Sequence, residues 1–463
     1  MELITDIDII SGYLSDASNT HGHAEALLRP KTTKEVSSIL KMAQKYGIPV
    51  TVTAQRTSTT GGPVPDGGWL LSMERMNRII SSTELEGGVI LGQYQRQIEQ
   101  SGLLFPPDPT SRNECSIGAA IACNASGARS FRYGGTRPWI EAVEVVLPTG
   151  EIIYADRQTP IPEHWPTIQW TEPEVKTAAG YVPANNLLDL LIGQEGTLGV
   201  ITKAWTKVIP LPKEVMGMIV YFSDLESCIS CVEALRIGAQ RPGQEATVGA
   251  LNPRAIEFFD SRSIALIRAR VDVPEEAHCG LFIEVEYEGE LDLDPWFDCL
   301  EDHNALCDDI IAADNDSERE RLYQVRHAIP AGVNEQIIAN KMPKVGTDFS
   351  VPDSGLREMM REYAQVPMQA VLFGHIGDNH LHLNLLPKDK EQLKEARTLY
   401  TVLAKKAVQL GGSVSAEHGI GKIKRSLLAY MVGDEVLTSF RQLKQTLDPN
   451  WILGRGILFE KNN

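Results

Sequence analysis

The chain has no continuous apolar run of membrane-spanning length among its 463 residues, so no spanning helix is expected. Its start, MELITDIDIISGY, carries acids where a signal peptide needs a basic region. A cytoplasmic protein is expected, with peripheral association at a membrane as the one further placement. Positive charge is in deficit. Lys and Arg number 44 against 61 Asp and Glu, a formal net charge of -17. That balance argues against nucleic acid and against electrostatic adhesion to anionic lipid, but leaves docking to a basic protein open. Cysteine is sparse, with seven residues at positions 115, 123, 228, 231, 279, 299 and 307. An odd, scattered set fits free thiols in a reducing compartment. Cys228 and Cys231 form a C-x-x-C, yet neither a second pair nor flanking histidines complete a zinc or iron–sulfur pattern. They lie in LESCISCVEALRI, whose periodicity is helical, and read as small buried residues. Electrons passing through this chain would not use a cluster of its own. Internal repeats and low-complexity tracts are absent. No G-x-G-x-x-G follows a strand and opens a helix, and GIGK at 419–422 lacks the earlier glycine and the following Ser/Thr of a P-loop. Neither a Rossmann nor a Walker site is supported.

At this length two or more domains are expected. KTTKEVSSILKMAQKYGIPVTVTAQ reads as a helix ended near Gly47, then a strand. TSTTGGPVPDGGWLLSM reads as a loop running into another strand, and RPWIEAVEVVLPTGEIIYA as two strands around a Pro-Thr-Gly turn. After Pro212 the character changes: SDLESCISCVEALRIGAQ looks helical, CGLFIEVEYEGE looks like a strand, and DNDSERERLYQVRHAI is a charged helical stretch. The alternation predicts a second α+β domain from about 213 to 420.

In the first half, three loops combine glycine with small hydroxyl and amide residues: RTSTTGG (Arg56 to Gly62), SIGAAIACNASGARSFRYGG (Ser116 to Gly135) and GQEGTLGVIT (Gly193 to Thr202). Glycine lets backbone approach a ligand, and exposed N–H groups hold phosphate. One such loop is usually just a turn. Three, each beside a strand, suggest a long phosphorylated cofactor lying across several loops.

The second half concentrates imidazole. FGHIGDNHLHLN, Phe373 to Asn384, holds three of the ten histidines. The run reads as strand, so His380, His382 and Asn384 share a face. His375 is out of phase, but Gly377-Asp378-Asn379 is turn chemistry that resets the register and lets His375 meet His382. Two convergent imidazoles make a metal site conceivable without completing one.

Here a family resemblance emerges. FPPDPTSRNECSIGAAIACNASGARSFRYGGTRPWIEAVEVVLPTGEI resembles the flavin-binding region of vanillyl-alcohol-oxidase-type flavoproteins. More narrowly it resembles the branch holding D-lactate dehydrogenase, the catalytic subunit of glycolate oxidase and D-2-hydroxyglutarate dehydrogenase. GQEGTLGVIT, FGHIGDNHLHLN, SAEHGIGKIK and LKQTLDPNWILGRGIL match that branch in order, over roughly residues 25 to 460. The resemblance implies an α+β protein. A two-subdomain FAD-binding domain of the vanillyl-alcohol-oxidase (PCMH) type would span 1–212. A cap with an antiparallel sheet would span 213–420, and a segment returning to the flavin domain 421–463. By motif, non-covalent FAD would contact Thr57, Ser58, Gly61, Gly62, Pro107, Asp108, Ser111, Gly118, Asn124, Ser126, Gly127, Tyr133, Gly134, Thr136, Glu195, Gly196 and Ile201. One departure stands out: relatives carry extra glycines before the first loop's Thr, whereas this chain has Thr53-Ala54-Gln55-Arg56. Arg56 there either compensates charge or faces solvent.

In metal-dependent relatives the counterparts of His375, His382 and Glu417 hold one divalent cation (Zn, Fe or Mn), leaving positions open for substrate, as a catalytic ion requires. At the position of His380 the family usually has Asn, and His380 is expected to be a wall rather than a ligand. His418 resembles the catalytic base. Arg326 in LYQVRHAIP and Lys344 in MPKVGTDFSVP match positions gripping the substrate carboxylate, while Asn384 is expected to bond the substrate. The implied activity is oxidation of a D-2-hydroxy acid, D-lactate foremost, with D-2-hydroxyglutarate or glycolate as alternatives. Hydride would pass to flavin N5. Electrons would leave to electron-transfer flavoprotein, a quinone, a cytochrome or an iron–sulfur subunit. A flavin-binding partner subunit without turnover is the non-enzymatic alternative, and a homo-oligomer is allowed.

Overall fold

Helix Thr33–Tyr46 shows how the first layer is made. Thr32 caps its start by accepting the Glu35 N–H, Gly47 ends it at a φ of 66°, and Val36, Ile39, Leu40 and Ala43 are buried beneath it. A threonine cap and a left-handed glycine are the expected start and stop signals. The helix leads from strand Ala26–Arg29 to strand Val50–Thr53. Both run parallel to Trp69–Ser72, which lies between them, while Glu2–Ile4 pairs antiparallel at the edge. The computed structural model describes residues 2–268 and 273–461.

A second, antiparallel sheet follows in the order Glu84–Glu86, Val200–Thr206, Ile140–Val146, Ile152–Asp156. Its last two strands join through a turn in which Gly150, at a φ of 81°, donates to the Leu147 carbonyl. The two sheets and their loops form the α/β pair of subdomains expected of the flavin domain.

The cap is built on one eight-stranded antiparallel sheet. From its edge the order runs Ile311–Ala313, Glu214–Phe222, Cys279–Tyr287, Pro253–Phe259, Ala370–His375, His380–Leu385 and Val345–Gly346, with Phe349–Ser350 also on His380–Leu385. Helix Leu225–Arg236 buries Cys228 and Cys231, and all seven cysteines are free of disulfide. The charged stretch forms helix Asp316–Asn340 with Pro330 inside it. Among the described residues no helix is long and apolar enough to cross a membrane.

After the cap the chain turns back. Helix Arg425–Leu447 breaks its own path at Gly433, where φ is 79°. The tail then lies beside the first sheet: the Val50 N–H donates to the Ile452 carbonyl at 2.7 Å, and Gly454 returns a bond to Val50. Architecture of this kind, α+β with an antiparallel cap over a flavin-type domain, is the class the motifs imply.

Candidate active site

The hairpin of Ala370–His375 and His380–Leu385 settles the histidine question by register. His375 pairs directly with His380, and Phe373 with His382. Alternation then puts all three imidazoles on one face. The connection is a short turn at Ile376–Asp378, with Asn379 left-handed at a φ of 56°. Gly374 is itself required: at a φ of 131°, its Cβ would stand 2.9 Å from the His382 ring.

His375 and His382 each have one nitrogen hydrogen-bonded outward, His380 has a carboxylate in contact there, and all three turn the other nitrogen toward Glu417. His375 places Nδ1 2.5 Å from Glu257 Oε1 and Nε2 3.5 Å from Glu417 Oε2. His382 places Nδ1 3.1 Å from the Thr347 carbonyl and Nε2 3.5 Å from Glu417 Oε1. His380 places Nε2 2.9 Å from Asp348 Oδ1 and Nδ1 3.8 Å from Glu417 Oε2. Glu417 and His418 ride on a loop organised by Asp348. Its oxygens accept the Glu417 and His418 N–H groups at 3.2 and 3.1 Å, the Ser415 hydroxyl at 2.8 Å and the Lys424 ammonium at 2.5 Å. His418 keeps 36% of its side chain exposed and faces the cleft, with Nε2 3.4 Å from Glu417 Oε1.

The electrostatics follow from burial and neighbours. Burial opposes ionisation of Asp348, yet His418 and Lys424 hold its carboxyl well below the usual range. Burial also works against a charged Glu417, but Lys176 and the histidines outweigh it and keep it ionised. Burial pulls His380 and His382 down, toward the neutral form that ligates metals. Burial would lower His375 too, but Glu257 reverses the sign and lifts it to about 9.

These residues fit a divalent cation. Donor atoms of His375, His380, His382 and Glu417 all lie within 4.8 Å of one another. His375 Nε2, His380 Nδ1 and Glu417 Oε2 are buried with no hydrogen-bond partner among the described residues. Buried polar atoms are rarely left so, and a cation bound among them would satisfy all three. Lys176 flanks it, 3.2 Å from Glu417 Oε2 and 3.7 Å from Asp378 Oδ2.

Arg326 does not present a free guanidinium. Its Nε and Nη2 lie 3.0 and 2.8 Å from Glu257 Oε2, the same carboxylate that holds His375. Burial would raise the Glu257 pKa, but Arg326 and His375 bring it down to about 2. Lys344 donates to Asn384 Oδ1 at 2.7 Å, and Asn384 donates to the His382 carbonyl at 3.0 Å. Motif reading missed Glu257, Asp348 and Lys176. A signal existed for Glu257, an acid inside the apolar strand PRAIEFF, since a buried carboxylate needs partners.

One cleft of about 1590 Å³ joins this cluster to the glycine-rich loops. Of the residues expected at FAD, Thr57, Ser58, Gly62, Asp108, Ser111, Gly118, Ser126, Glu195, Gly196 and Ile201 line it. The other seven do not line it. Gly61 donates to Asp16, Pro107 accepts from Gln95, and Thr136 donates to the Ala125 carbonyl. Asn124 accepts the Arg137 N–H and Tyr133 donates to Glu286. Gly127 lets the chain pass Asp108, and Gly134 turns it at a φ of 73°. Glu195, left-handed at a φ of 52°, accepts the Ile420 and Gly421 N–H groups at 2.8 and 2.7 Å, tying the third loop to the Glu417 loop. Burial pushes its pKa up to about 7. Arg56 stacks over the Tyr13 ring at 4.5 Å on the cleft wall.

Sequence comparison gives the class of protein, an FAD-linked oxidoreductase. Residues 24–156 match the FAD binding domain model, and residues 211–458 match the model of the C-terminal domain of FAD linked oxidases. The chain belongs to the FAD-linked oxidases, in the vanillyl-alcohol-oxidase branch that its motifs resemble. It is 30% identical to a D-lactate dehydrogenase of Anaerostipes hadrus, over 97% of this chain and 93% of that one. It is 26% identical to the glycolate oxidase subunit GlcD of Bacillus subtilis, over 95% and 89%, and to a D-2-hydroxyglutarate dehydrogenase of Stutzerimonas stutzeri, over 99% and 96%. An alkyldihydroxyacetonephosphate synthase structure shares the fold, with a TM-score of 0.67 at 17% identity over 98% of this chain and 81% of that one.

Proposed function

We propose that the protein oxidises a D-2-hydroxy acid, D-lactate first, to the 2-oxo acid and passes the electrons to an external acceptor. The observation that carries this reading is the single cleft shared by the glycine-rich loops and the histidine–glutamate cluster. Bound FAD supplies a two-electron acceptor, and a divalent cation (Zn, Fe or Mn) held by His375, His382 and Glu417 supplies Lewis acidity at the substrate oxygens. The residues do the rest. Lys344 attracts the substrate carboxylate as a point charge, and Arg326, whose Nε and Nη2 are taken by Glu257, adds positive charge beside it. Asn384 fixes the Lys344 ammonium. His418 is backed by Asp348 3.5 Å from its Nδ1 and takes the hydroxyl proton from the cleft side. In this reading the 213–420 region brings the cluster, 1–212 brings the flavin loops and 421–463 closes back on the latter. The acceptor is an electron-transfer flavoprotein, a quinone, a cytochrome or an iron–sulfur subunit.

Exposed Arg397 on the cleft rim is where a second carboxylate would reach, which favours keeping D-2-hydroxyglutarate as the second candidate. A partner subunit without turnover is disfavoured, because it has no use for so costly a buried charge cluster. The test is anaerobic mixing of the yellow holoprotein with D-lactate, D-2-hydroxyglutarate and glycolate. Bleaching is expected, fastest with D-lactate. A flavin that stays oxidised with all three acids overturns the proposal.

A further inference from the structure

We infer that His380 is a fourth protein ligand of the cation, so that this chain presents three imidazoles and one carboxylate. The inference rests on the function proposed above. It reverses the expectation that a histidine at this position only walls the site.

Three observations support it. First, His380 is fully buried, with 0% exposure, and neither ring nitrogen has a hydrogen-bond partner among the described residues. A wall residue in this place has no reason to bury unsatisfied ring nitrogens, which is costly when nothing meets them. Second, a carboxylate stands behind His380 as an acceptor stands behind each neighbour. Glu257 and the Thr347 carbonyl hydrogen-bond His375 and His382, while Asp348 Oδ1 lies 2.9 Å from His380 Nε2 as an ion-pair contact without hydrogen-bond geometry. An acceptor behind a ligating imidazole fixes its ring and raises its basicity. Third, the inward atom is in range. His380 Nδ1 is 3.8 Å from Glu417 Oε2, against 3.5 Å from a Glu417 oxygen for each of the other two imidazoles. Ligands about 2.1 Å from one ion stand roughly 3–4 Å apart, and the four donor groups lie within 4.8 Å of one another, so the cluster must draw in around the ion. Lys176 shares Glu417 Oε2 with the proposed ion, its ammonium 3.2 Å from that oxygen and 3.3 Å from the Gly127 carbonyl.

A fourth protein ligand has a consequence for the ion. Four ligands saturate a tetrahedral ion and make a closed, structural site. Substrate oxygens then find a place only on an ion that accepts five or six ligands, which carboxylate–imidazole sites offer with manganese, iron or cobalt. The site therefore selects against four-coordinate zinc as the working metal.

Cobalt(II) is the probe, because its visible spectrum reports coordination number. The FAD-loaded full chain is stripped of divalent metal and titrated with Co(II). One Co(II) per FAD is expected, with the weak bands of five- or six-coordination and X-ray absorption scattering from three imidazoles. His380→Asn should drop the count to two and loosen Co(II) by about 10–100-fold. Two imidazoles in the unaltered protein would overturn the assignment and leave the three-ligand site standing. So would a His380→Asn protein with unchanged affinity and spectrum. Intense tetrahedral bands would overturn the coordination argument. Absence of Co(II) binding would sink this inference and the proposed metal together, while flavin bleaching by D-lactate reports separately on the oxidation. Should His380→Asn fail to hold FAD, the imidazole count in the unaltered protein decides alone.

Discussion

The two ends of the cleft are made from opposite materials. At the flavin end the wall is backbone and small side chains, and its tolerances are steric. A Cβ on Gly118 would sit 2.7 Å from the Gly87 carbonyl oxygen, and one on Gly127 only 2.1 Å from that of Asp108. At the cap end the wall is charge. Glu257, Asp348, Glu417, Lys176 and Lys424 are each buried to below a tenth of their side-chain surface and interlocked with three histidines. Backbone can recognise a cofactor because the cofactor brings its own chemistry. The cap end must instead orient a small acid and move a proton, which needs ionised groups held where water would otherwise solvate them. Bulk should therefore damage one end, and loss of charge or of an imidazole the other.

The largest effect expected at the charged end is on rate. His418→Ala should keep FAD and fold but slow flavin reduction by D-lactate by roughly 10²–10⁴-fold, the usual worth of a positioned acid–base group. That corresponds to about 3–5 kcal/mol of barrier. Stopped-flow absorbance of the flavin measures it. A near wild-type rate would mean that the hydroxyl proton leaves by another route.

Next comes Arg326, whose two candidate roles give different readouts. Removing one partner of a buried ion pair costs about 3–5 kcal/mol, and the 23% exposure of Arg326 places Arg326→Met near the lower end. Urea unfolding of the FAD-bound protein should show that loss, and Glu257→Gln in the same chain should recover part of it. If Arg326 served only to grip substrate, stability would be unchanged and KM alone would rise.

At the flavin end the counterpart is Gly127→Ala. The methyl must displace the Asp108 carbonyl, and overpacking of this kind costs about 1–3 kcal/mol. FAD affinity and thermal stability should fall, while the reduction rate per bound flavin stays within twofold or so. A slowed reduction per flavin would show that the two ends are less separable than their materials suggest.

The same contrast explains what could be read without coordinates. The histidine face was legible because everything it needs is local: alternation in LHLNLL, and a Gly-Asp-Asn turn that restores the phase of His375. Glycine-rich loops were legible for the same reason, and the change of character after Pro212 falls just before the first long cap strand, Glu214–Phe222. The pairing of carboxylates with the histidines was not legible, even where Glu257 stood out as an acid in an apolar strand. Glu257 reaches His375 across 118 positions, and Asp348 reaches the Glu417 loop across 69. No spacing rule spans such distances, since the contacts exist only once the eight-stranded sheet has formed. Arg326 shows what this hides. Its helix reads as a charged stretch, and its motif position reads as a carboxylate grip. The fold adds Glu257 as a partner that neither reading contains.

The smallest expected effect is none, and it tests whether the flavin end lacks a covalent hold. A histidyl–flavin bond needs an imidazole at the flavin loops. The stretches Thr53–Gly62 and Asp108–Arg129 contain no histidine, and the histidines lining the cleft are His375, His382 and His418, all at the charged end. His21 and His23 lie nearby in sequence, but their backbones bridge to Ser15 and Asp66 and neither residue lines the cleft. FAD is therefore expected to be held by shape and backbone alone. Acid precipitation should release all the yellow colour into the supernatant, from the unaltered protein and from His21→Ala and His23→Ala alike. Colour retained in the pellet would require a side chain to bond the isoalloxazine, and would break the division between a flavin end that only holds and a charged end that reacts.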